Sequence, residues 1–548
     1  MPKSITVCIE FVNENRVQNI DKLCQEWYYE AGNTKYNGEI SMIEKPSAIV
    51  IGAGIGGIAT AGRLARNGYE VTVVEKTAQA GGRCNQIVKD GHRFDVGPTL
   101  FLMPEVFEET YAALGEKMAD HLDLKRIDPT YTVRFDDGTS LALTSNIGAM
   151  QTQLEAIEPG AFGGFLRYLS EGQLHYRLSL QKFVGRNFYS YLDYFSPGNL
   201  PLLFKLKALV KHYDNVDHYF KHPHLKAAFT FQNMYLGLSP YDAPATYSLL
   251  QYTELAEGIW FPMGGLYRVI ETLTALAEKN GARFIYGAPV ERIEHDGQRA
   301  TGIALQDGRK LEADVIVVNA DLPYAYRELL QDEAEAQKLD RKKFTCSAIM
   351  FYWGVDKVYP QIKPHNVWLA GDYKASFDRI FNDNTLPDEP SFYVHAPART
   401  DPAAAPAGQD TLLVLVPVGH LDESRPQDWA ALKDRARSTV LAKLKEIGVD
   451  DLDQHIKFEV CYTPKNWQTL YNLDKGAAFG LSHNFMQVGY LRPRNRHAHL
   501  HNVYFAGAST HPGTGLPIVL LSARLTSERI LKDAGVPQVS HQLQPAAA

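Results

Sequence analysis

The sequence predicts an α/β protein in which a Rossmann-like domain carries an inserted α+β domain. Two glycine-rich strand–turn–helix units lie near the ends of the chain, at about 49–67 and 503–532. Between them the alternation of strands and helices fades, and the composition shifts towards aromatic residues and histidines. These observations assign 46–140, 257–325 and 480–535 to the first domain, and 141–256 and 326–479 to the inserted domain.

Size and composition exclude several classes of protein. The 548 residues are enough for two domains, and a net charge of -7 offers no basic surface for nucleic acid. No run reaches the roughly 18 apolar residues that span a bilayer, and no signal peptide is visible. The five cysteines are scattered without a CxxC pair, which predicts no structural zinc and no disulfides and fits a reducing cytoplasm. Residues 1–45 and 536–548 are predicted to be an extension and a tail without chemistry of their own.

The first glycine-rich unit predicts a dinucleotide site. A strand at 49–51 meets the turn directly, a helix runs to about residue 67, and Gly68 is placed to end it in the left-handed conformation. Glycines let the backbone approach a pyrophosphate, which then faces the amides of the helix N-terminus. The next strand, 70–74, leads to Glu75, where a carboxylate receives ribose hydroxyls. The candidate residues are Gly52, Ala53, Gly54, Ile55, Gly56, Gly57, Glu75 and Lys76.

A second element follows at Gly81-Gly82-Arg83 and again at Gly97-Pro98-Thr99. A simple NAD dehydrogenase has no reason for it. Glu75 followed by Gly-Gly-Arg resembles the FAD-binding N-terminus of the flavin amine oxidase and carotenoid desaturase superfamily, in which the arginine lies near the phosphates or ring of the flavin. The resemblance therefore implies FAD as the cofactor, with Gly82, Arg83, Gly97, Pro98 and Thr99 beside it.

Residues 257–325 predict a return to the first domain. A helix ends at about 280, and Asp-Gly pairs at 296–297 and 307–308 predict the turns of a meander. A buried strand at 315–318 closes the segment. In FAD proteins that resemble this one, the backbone at Val290 holds the adenine, while Asn319 and Ala320 lie where the last strand approaches the cofactor.

The C-terminal unit predicts a second approach to the cofactor. Pro517 is placed to open a helix that runs to about residue 532, with its positive end towards bound anionic groups. In the superfamily that this segment resembles, the target is the flavin's pyrimidine edge and a nearby phosphate, which implies contacts from Gly507, Pro517, Ile518 and Val519. His511 and Tyr504 lie near this motif, but a structural role is predicted for each, and the catalytic residues stay unassigned.

An amphipathic helix is predicted at 200–213 in the inserted domain. Leu202, Leu206, Leu209, Val210 and Tyr213 would share one face, with lysines at 205, 207 and 211 at the rim and behind. Such a helix lies either in a membrane interface, with its lysines towards anionic headgroups, or against the core with a solvated back. Apolar strands are predicted at 346–353 and 412–418, either buried on both faces or lining a cavity.

Residues 46–535 as a whole resemble the bacterial and fungal type of phytoene desaturase, together with the diapophytoene desaturases. The most specific motifs are the N-terminal unit and 506–513, where Ala508 replaces an acid that many related flavoenzymes carry. The resemblance implies an FAD-binding domain of the glutathione-reductase or amine-oxidase type and desaturation of a long polyene precursor such as phytoene. Because this substrate has almost no polar group, a long apolar tunnel must bind it. Its delivery from a bilayer implies a cytoplasmic, peripheral membrane protein, and a homo-oligomer is compatible with these features.

Other functions remain open from the sequence. They are desaturation of a thirty-carbon diapophytoene, carotenoid isomerisation, amine oxidation by flavin, and prenyl binding without catalysis as in GDP-dissociation inhibitors. A single dinucleotide fingerprint predicts no nicotinamide requirement.

Overall fold

The computed structural model describes residues 45–536, and the predictions for 1–44 and 537–548 lie outside it. A five-stranded parallel sheet is built from segments that are far apart in the chain. Its inner strands are apolar and buried on both faces, as the β-branched runs predict. The strand order is Val503–Phe505, Val315–Val318, Ser47–Ile51, Glu70–Val74 and Arg283–Ile285.

Three long helices pack together on this sheet: Ile55–Arg66, Tyr267–Lys279 and Leu516–Asp533. Their apolar faces form one core with the sheet. Gly68 adopts the left-handed conformation with φ +91° and ends the first helix region. Both predicted strand–turn–helix units are therefore confirmed.

The predicted meander is an antiparallel sheet of Val290–His295, Ala300–Leu305 and Lys310–Glu312. Gly297 and Gly308 turn the chain with φ +98° and +88°. Both Asp-Gly pairs therefore lie at hairpin turns, as predicted.

A seven-stranded sheet is built mainly from residues 347–462. The apolar strands Ser347–Val355 and Asp410–Val418 pair along their whole length, which confirms the strands predicted there. Tyr131–Arg134 also joins this sheet, in parallel with His365–Trp368. This strand lies within 46–140, which the sequence assigns to the first domain. The domain bounds stay a prediction. The order is Ile456–Tyr462, Ser347–Val355, Asp410–Val418, Phe392–His395, His365–Trp368, Tyr131–Arg134 and Ser140–Leu143.

Smaller elements complete the described chain. Two-stranded pairs join Gln86–Lys89 to His92–Asp95 and Leu124–Ile127 to Ile259–Pro262. The other α-helices are Pro104–Ala113, Ile147–Ile157, Ala161–Ser179, Tyr191–Tyr194, Leu200–Lys205, His212–Val216, Pro223–Ala228, Leu249–Tyr252, Leu322–Tyr324, Glu333–Asp340, Tyr373–Phe381, Trp429–Lys445, Leu452–His455 and Pro464–Tyr471. No helix within 45–536 combines the length and apolar character that a bilayer crossing requires.

The continuous helix predicted at 200–213 is wrong. The helix ends at Lys205, Lys207 reverses the chain with φ +50°, and a new helix begins at His212. The Lys207 ammonium fixes this reversal through an ion pair with Glu171 at 2.5 Å and a hydrogen bond to Asn215 at 2.7 Å. These contacts with distant residues override the helical period, so the leucines of the segment do not share one face.

Candidate active site

One cavity has a volume of about 850 Å³. It is lined by residues around the five-stranded parallel sheet and by residues of the seven-stranded sheet and the region 203–250. This volume lies in the range of ligand-binding pockets. The structure brings all the predicted cofactor residues to its wall except Ala53 and Gly57. Those on the wall are Gly52, Gly54, Ile55, Gly56, Glu75, Lys76, Gly82, Arg83, Gly97, Pro98, Thr99, Val290, Asn319, Ala320, Gly507, Pro517, Ile518 and Val519.

The first glycine turn is closed by contacts inside the protein. Gly52 has φ +96°, and a Cβ on it would lie 2.6 Å from the Asn319 carbonyl oxygen. A Cβ on Gly57 would collide with the Gly52 carbonyl oxygen. Gly57 is therefore required for the shape of the turn, whereas Gly54 and Gly56 form the cavity wall.

Glu75 ends its strand at the cavity and also ties the turn together. One carboxylate oxygen accepts from the backbone N–H of Ala53 at 2.8 Å. The other accepts from the N–H and hydroxyl of Thr77 at 2.9 and 2.8 Å. Carboxylate oxygens have further lone pairs, so these bonds leave acceptors for a ribose hydroxyl.

Arg83 places a buried cation at the cavity. Its guanidinium donates to the Ala478 carbonyl at 3.0 Å, and burial lowers its pKa while nearby Asp321 raises it. A Cβ on Gly97 would lie 2.5 Å from the Arg83 carbonyl oxygen, so the two predicted segments pack directly on each other.

Asn319 connects the first glycine turn to the C-terminal unit. Its amide nitrogen donates to the Ala506 carbonyl at 2.7 Å. Cβ atoms added to Gly54 and Gly56 would lie 2.8 Å from its side-chain oxygen and nitrogen. Asn319 therefore holds the two glycine-rich units against each other at the wall.

At the C-terminal unit, the helix Leu516–Asp533 begins at the cavity. His511 lines the cavity, and burial lowers its pKa to about 4. Tyr504 lies away from it and donates to Asp533 at 2.9 Å. These contacts give Tyr504 a structural role.

Apolar side chains form most of the rest of the cavity wall. This part comes from the region 203–250, the seven-stranded sheet and the helix Tyr373–Phe381, which supply a wall for a hydrocarbon. Its apolar residues include Leu203, Leu206, Phe231, Met234, Leu236, Leu249, Leu250, Val367, Leu369 and Phe377.

The sequence motifs missed the polar side chains in and behind this part of the wall. The phenols of Tyr235 and Tyr393 are part of the cavity wall. Tyr235 donates to Glu254 at 3.1 Å, and burial raises the pKa of that carboxyl to about 7. Tyr393 contacts the Thr99 hydroxyl at 2.9 Å and His365 at 2.6 Å. The available signal was an acid, Glu254, in an otherwise uncharged stretch at 249–255.

The polar half of the cavity fits FAD. Two helices of 12 and 18 residues begin at its wall, so unpaired N–H groups and positive dipole ends face any phosphate bound there. Arg83 adds a cation, and Glu75 adds an acceptor. Within 45–536, no group of three His, Cys, Asp or Glu side chains is arranged to hold a metal.

Comparisons with known proteins agree with this geometry. Residues 55–531 match the family described as flavin containing amine oxidoreductase. The chain is 47% identical to the zeta-carotene-forming phytoene desaturase of Myxococcus xanthus, over 91% of this chain and 96% of that protein. It is 46% identical to the phytoene desaturase of Phycomyces blakesleeanus, over 89% and 85%. The 4,4'-diapophytoene desaturase of Staphylococcus aureus is 35% identical, over 88% and 98%.

A solved structure supports the fold. Wild-type putrescine oxidase bound to putrescine aligns with a TM-score of 0.59 at 14% identity, covering 89% of this chain and 99% of that chain. The predicted α/β fold is thus confirmed. The chain belongs to the flavin-containing amine oxidoreductase family, as an FAD-dependent oxidoreductase of the phytoene desaturase group.

Proposed function

We propose that this enzyme is a carotenoid desaturase that introduces double bonds into phytoene. The observation that carries the proposal is that a single cavity joins a half lined by glycine-rich turns, Glu75 and Arg83 to a half lined mainly by apolar side chains. A hydrocarbon offers no hydrogen-bonding group, so shape and burial must position it. Burial of apolar surface stabilises a complex by roughly 25 cal/mol per Å². This is ample to bind a hydrocarbon as long as phytoene.

The reaction class follows from the two halves. Each cycle removes two hydrogens from a carbon–carbon single bond, and FAD when bound supplies the two-electron acceptor. The chain's own residues hold the hydrocarbon, align one bond and exclude water. We assign FAD binding to the predicted cofactor residues on the cavity wall. Ala53 and Gly57 shape the turn behind them.

Expression beside phytoene synthesis tests the function. We expect desaturated, coloured products from a host that makes phytoene, with none from the same host carrying a Gly54→Val variant. A thirty-carbon substrate is the second candidate, because the diapophytoene desaturase shares 35% identity. A parallel host that makes diapophytoene separates the two. Products found only there would contradict the assignment to phytoene, and rearranged double bonds without net oxidation would indicate an isomerase.

We further propose that the enzyme contacts the cytoplasmic surface of a membrane. Six exposed apolar residues lie within 191–210, and we call them the apolar patch: Tyr191, Leu192, Leu200, Phe204, Leu209 and Val210. Within the same segment Leu203, Leu206 and Ala208 line the cavity. One short stretch thus has an outer apolar surface and an inner wall, which favours substrate transfer from a bilayer. The free thiols of Cys84, Cys346 and Cys461 are compatible with a reducing compartment.

The lysines contribute less to this contact than their number suggests. Lys207 is paired with Glu171, and Lys211 with Asp242. Among the described residues, only Lys205 of the three has no carboxylate partner. We therefore base the membrane proposal on the apolar patch.

A further inference from the structure

We infer that Tyr235 and Glu254 together accept the proton released in the desaturation. Tyr235 would be the catalytic residue that touches the substrate, and Glu254 the positioning residue behind it. This inference rests on the proposed function, because it assigns the hydrogen that the hydride acceptor does not take.

Tyr235 lies at the boundary between the cavity and a buried polar network. It lines the apolar end of the cavity, in the turn of helix Phe231–Leu236. Its hydroxyl donates to Glu254 at 3.1 Å. Glu254 itself lies in a π-helical turn, Thr253–Glu257, a local geometry that is frequent at functional sites. The tyrosine is thus the link between a hydrocarbon in the cavity and the carboxylate.

Glu254 is a buried acid held only by neutral donors. Besides Tyr235, the hydroxyl of Thr130 donates at 2.8 Å and the amide of Gln232 at 3.3 Å. Within 45–536 no cation pairs with this carboxylate, and its side chain has no solvent exposure. An unpaired buried carboxylate is costly to the fold, which favours a functional reason for its position.

The surroundings of Glu254 bring the pKa of its carboxyl close to neutral pH. Burial raises its pKa to about 7, against the lowering effect of its three donors. The titratable groups that interact with it are Tyr131, Tyr168 and Tyr235, whose own pKa values are all raised by burial. These phenols stay neutral while Glu254 titrates. The carboxylate can therefore take a proton and release it again near neutral pH.

A second phenol at the cavity has a poorer acceptor. Tyr393 contacts His365 at 2.6 Å, and burial lowers the pKa of that imidazole well below its ordinary value. A proton transferred to His365 would not be held. Of these two cavity phenols, only Tyr235 thus has a base that can keep the proton.

In the proposed step, two neighbouring carbons of the substrate lose one hydride and one proton. FAD, when bound, would supply the acceptor for a hydride, which takes both electrons of the C–H bond from one carbon of the single bond. The neighbouring carbon loses a proton to the Tyr235 oxygen, and the electron pair of that C–H bond becomes the new π bond. The hydroxyl proton of Tyr235 moves to the Glu254 carboxylate, which ends as a carboxylic acid. After the product leaves, Glu254 returns the proton through the Tyr235 hydroxyl to water that enters the cavity.

The test uses the FAD-loaded full chain with phytoene in liposomes, and compares wild type with Glu254→Gln and Tyr235→Phe. For wild type, kcat/KM should rise with pH through about 7, as Glu254 becomes a carboxylate. Glu254→Gln keeps the size of the side chain but takes no proton, so kcat should fall by roughly 100-fold or more and the rise should disappear. Tyr235→Phe should also lower kcat and remove the rise of kcat/KM with pH, and it should disturb the fold less.

Three further measurements separate a catalytic from a structural role. Flavin content and thermal stability should stay close to wild type in Tyr235→Phe. A carboxylic-acid band that titrates near pH 7 in difference infrared spectra should vanish in Glu254→Gln, whether or not substrate is present. Tyr393→Phe, the matched control, should keep the rise of kcat/KM with pH.

The outcomes distinguish the two proposals. A wild type that leaves phytoene unchanged overturns the proposed function and this step with it. An active wild type whose pH profile survives in Tyr235→Phe or Glu254→Gln overturns the proton pair alone. If Glu254→Gln does not fold, Tyr235→Phe and the wild-type infrared titration decide the question.

Discussion

A single buried cation organises the loop at the C-terminal side of the cavity. The Arg492 side chain is 2% exposed and donates only to backbone carbonyls. These belong to Leu481, Ser482, Gln487, Ala508 and Thr510. Burial lowers its pKa to about 10, so it stays charged at neutral pH. Arg492 thereby ties 481–487 to the glycine-rich loop that lines the cavity.

Replacing Arg492 should destabilise the fold strongly. Arg492→Met leaves several buried carbonyls without a donor, and each such loss costs about 1–3 kcal/mol. We expect the free energy of unfolding in urea to fall by more than about 3 kcal/mol. Exposed Arg494 offers a matched control, and Arg494→Met should change it by about 0.5 kcal/mol or less. Equal effects of the two substitutions would show that the carbonyl network carries no stability.

Gly54→Val should abolish flavin retention. Gly54 forms the cavity wall, and its Cβ would lie 2.8 Å from the Asn319 side-chain oxygen. A valine there occupies the space needed for close approach to a pyrophosphate. The measurement is flavin absorbance per mole of purified protein, with circular dichroism to monitor the fold. Gly163→Val, where only the Arg167 guanidinium lies within 4 Å, should keep its flavin. A full complement of flavin in Gly54→Val would contradict the site.

At the scale of elements, the sequence was enough to predict a helix, strand or turn wherever one short segment determines its own structure. The glycine turns and the Asp-Gly hairpins formed as predicted, because each depends on residues adjacent in sequence. The 200–213 helix failed because Glu171 and Asn215 hold Lys207 in a reversal. Tyr235 and Glu254 meet only in three dimensions, so no motif spacing reveals them. Sequence motifs could therefore predict the glycine-rich part of the cavity wall, and they could not predict the buried pair of Tyr235 and Glu254.

Two residues of the same segment should separate membrane contact from packing. Phe204 is 76% exposed, whereas Leu206 is 3% exposed and lines the cavity. Phe204→Asp should weaken binding to liposomes by roughly 10-fold or more, since one buried aromatic side chain is worth about 1.5–3 kcal/mol. Its melting temperature should stay unchanged.

Leu206→Asp is the control for that experiment, because it puts a charge in the core and should lower the melting temperature. Co-sedimentation and thermal melts check both variants. Unchanged liposome binding of Phe204→Asp would place the membrane contact elsewhere.

At the scale of the whole molecule, buried histidines oppose buried acids in the response to pH. Burial lowers the pKa of His212, His395 and His511 to about 4. The unfolded chain binds these protons near pH 6.5 and the folded chain does not, so their contribution to stability is lost as pH falls from 6.5 towards 4. Asp95 and Glu254, with pKa raised to about 6 and 7, act in the opposite sense because the folded chain keeps their protons.

Removing one such histidine should make the free energy of unfolding depend less steeply on pH at acid pH. His395 stacks on His365 at 4.6 Å, so His395→Phe keeps the ring contact and removes one titrating group. The dependence of unfolding free energy on pH between about 6 and 4.5 should decrease by close to one proton. Urea unfolding across this range measures it. An unchanged slope would mean that His395 is protonated in the folded state.

The parallel sheet has a consequence for synthesis on the ribosome. Val503–Phe505 pairs with Val315–Val318, which itself pairs with Ser47–Ile51. The nascent chain must therefore hold its first strands without their final edge partner until almost all described residues have emerged. Gly507 and Ile518, which line the cavity, arrive later still. The cavity wall is therefore complete only after these residues have emerged, and until then the partly built sheet exposes an edge that other chains or chaperones can bind.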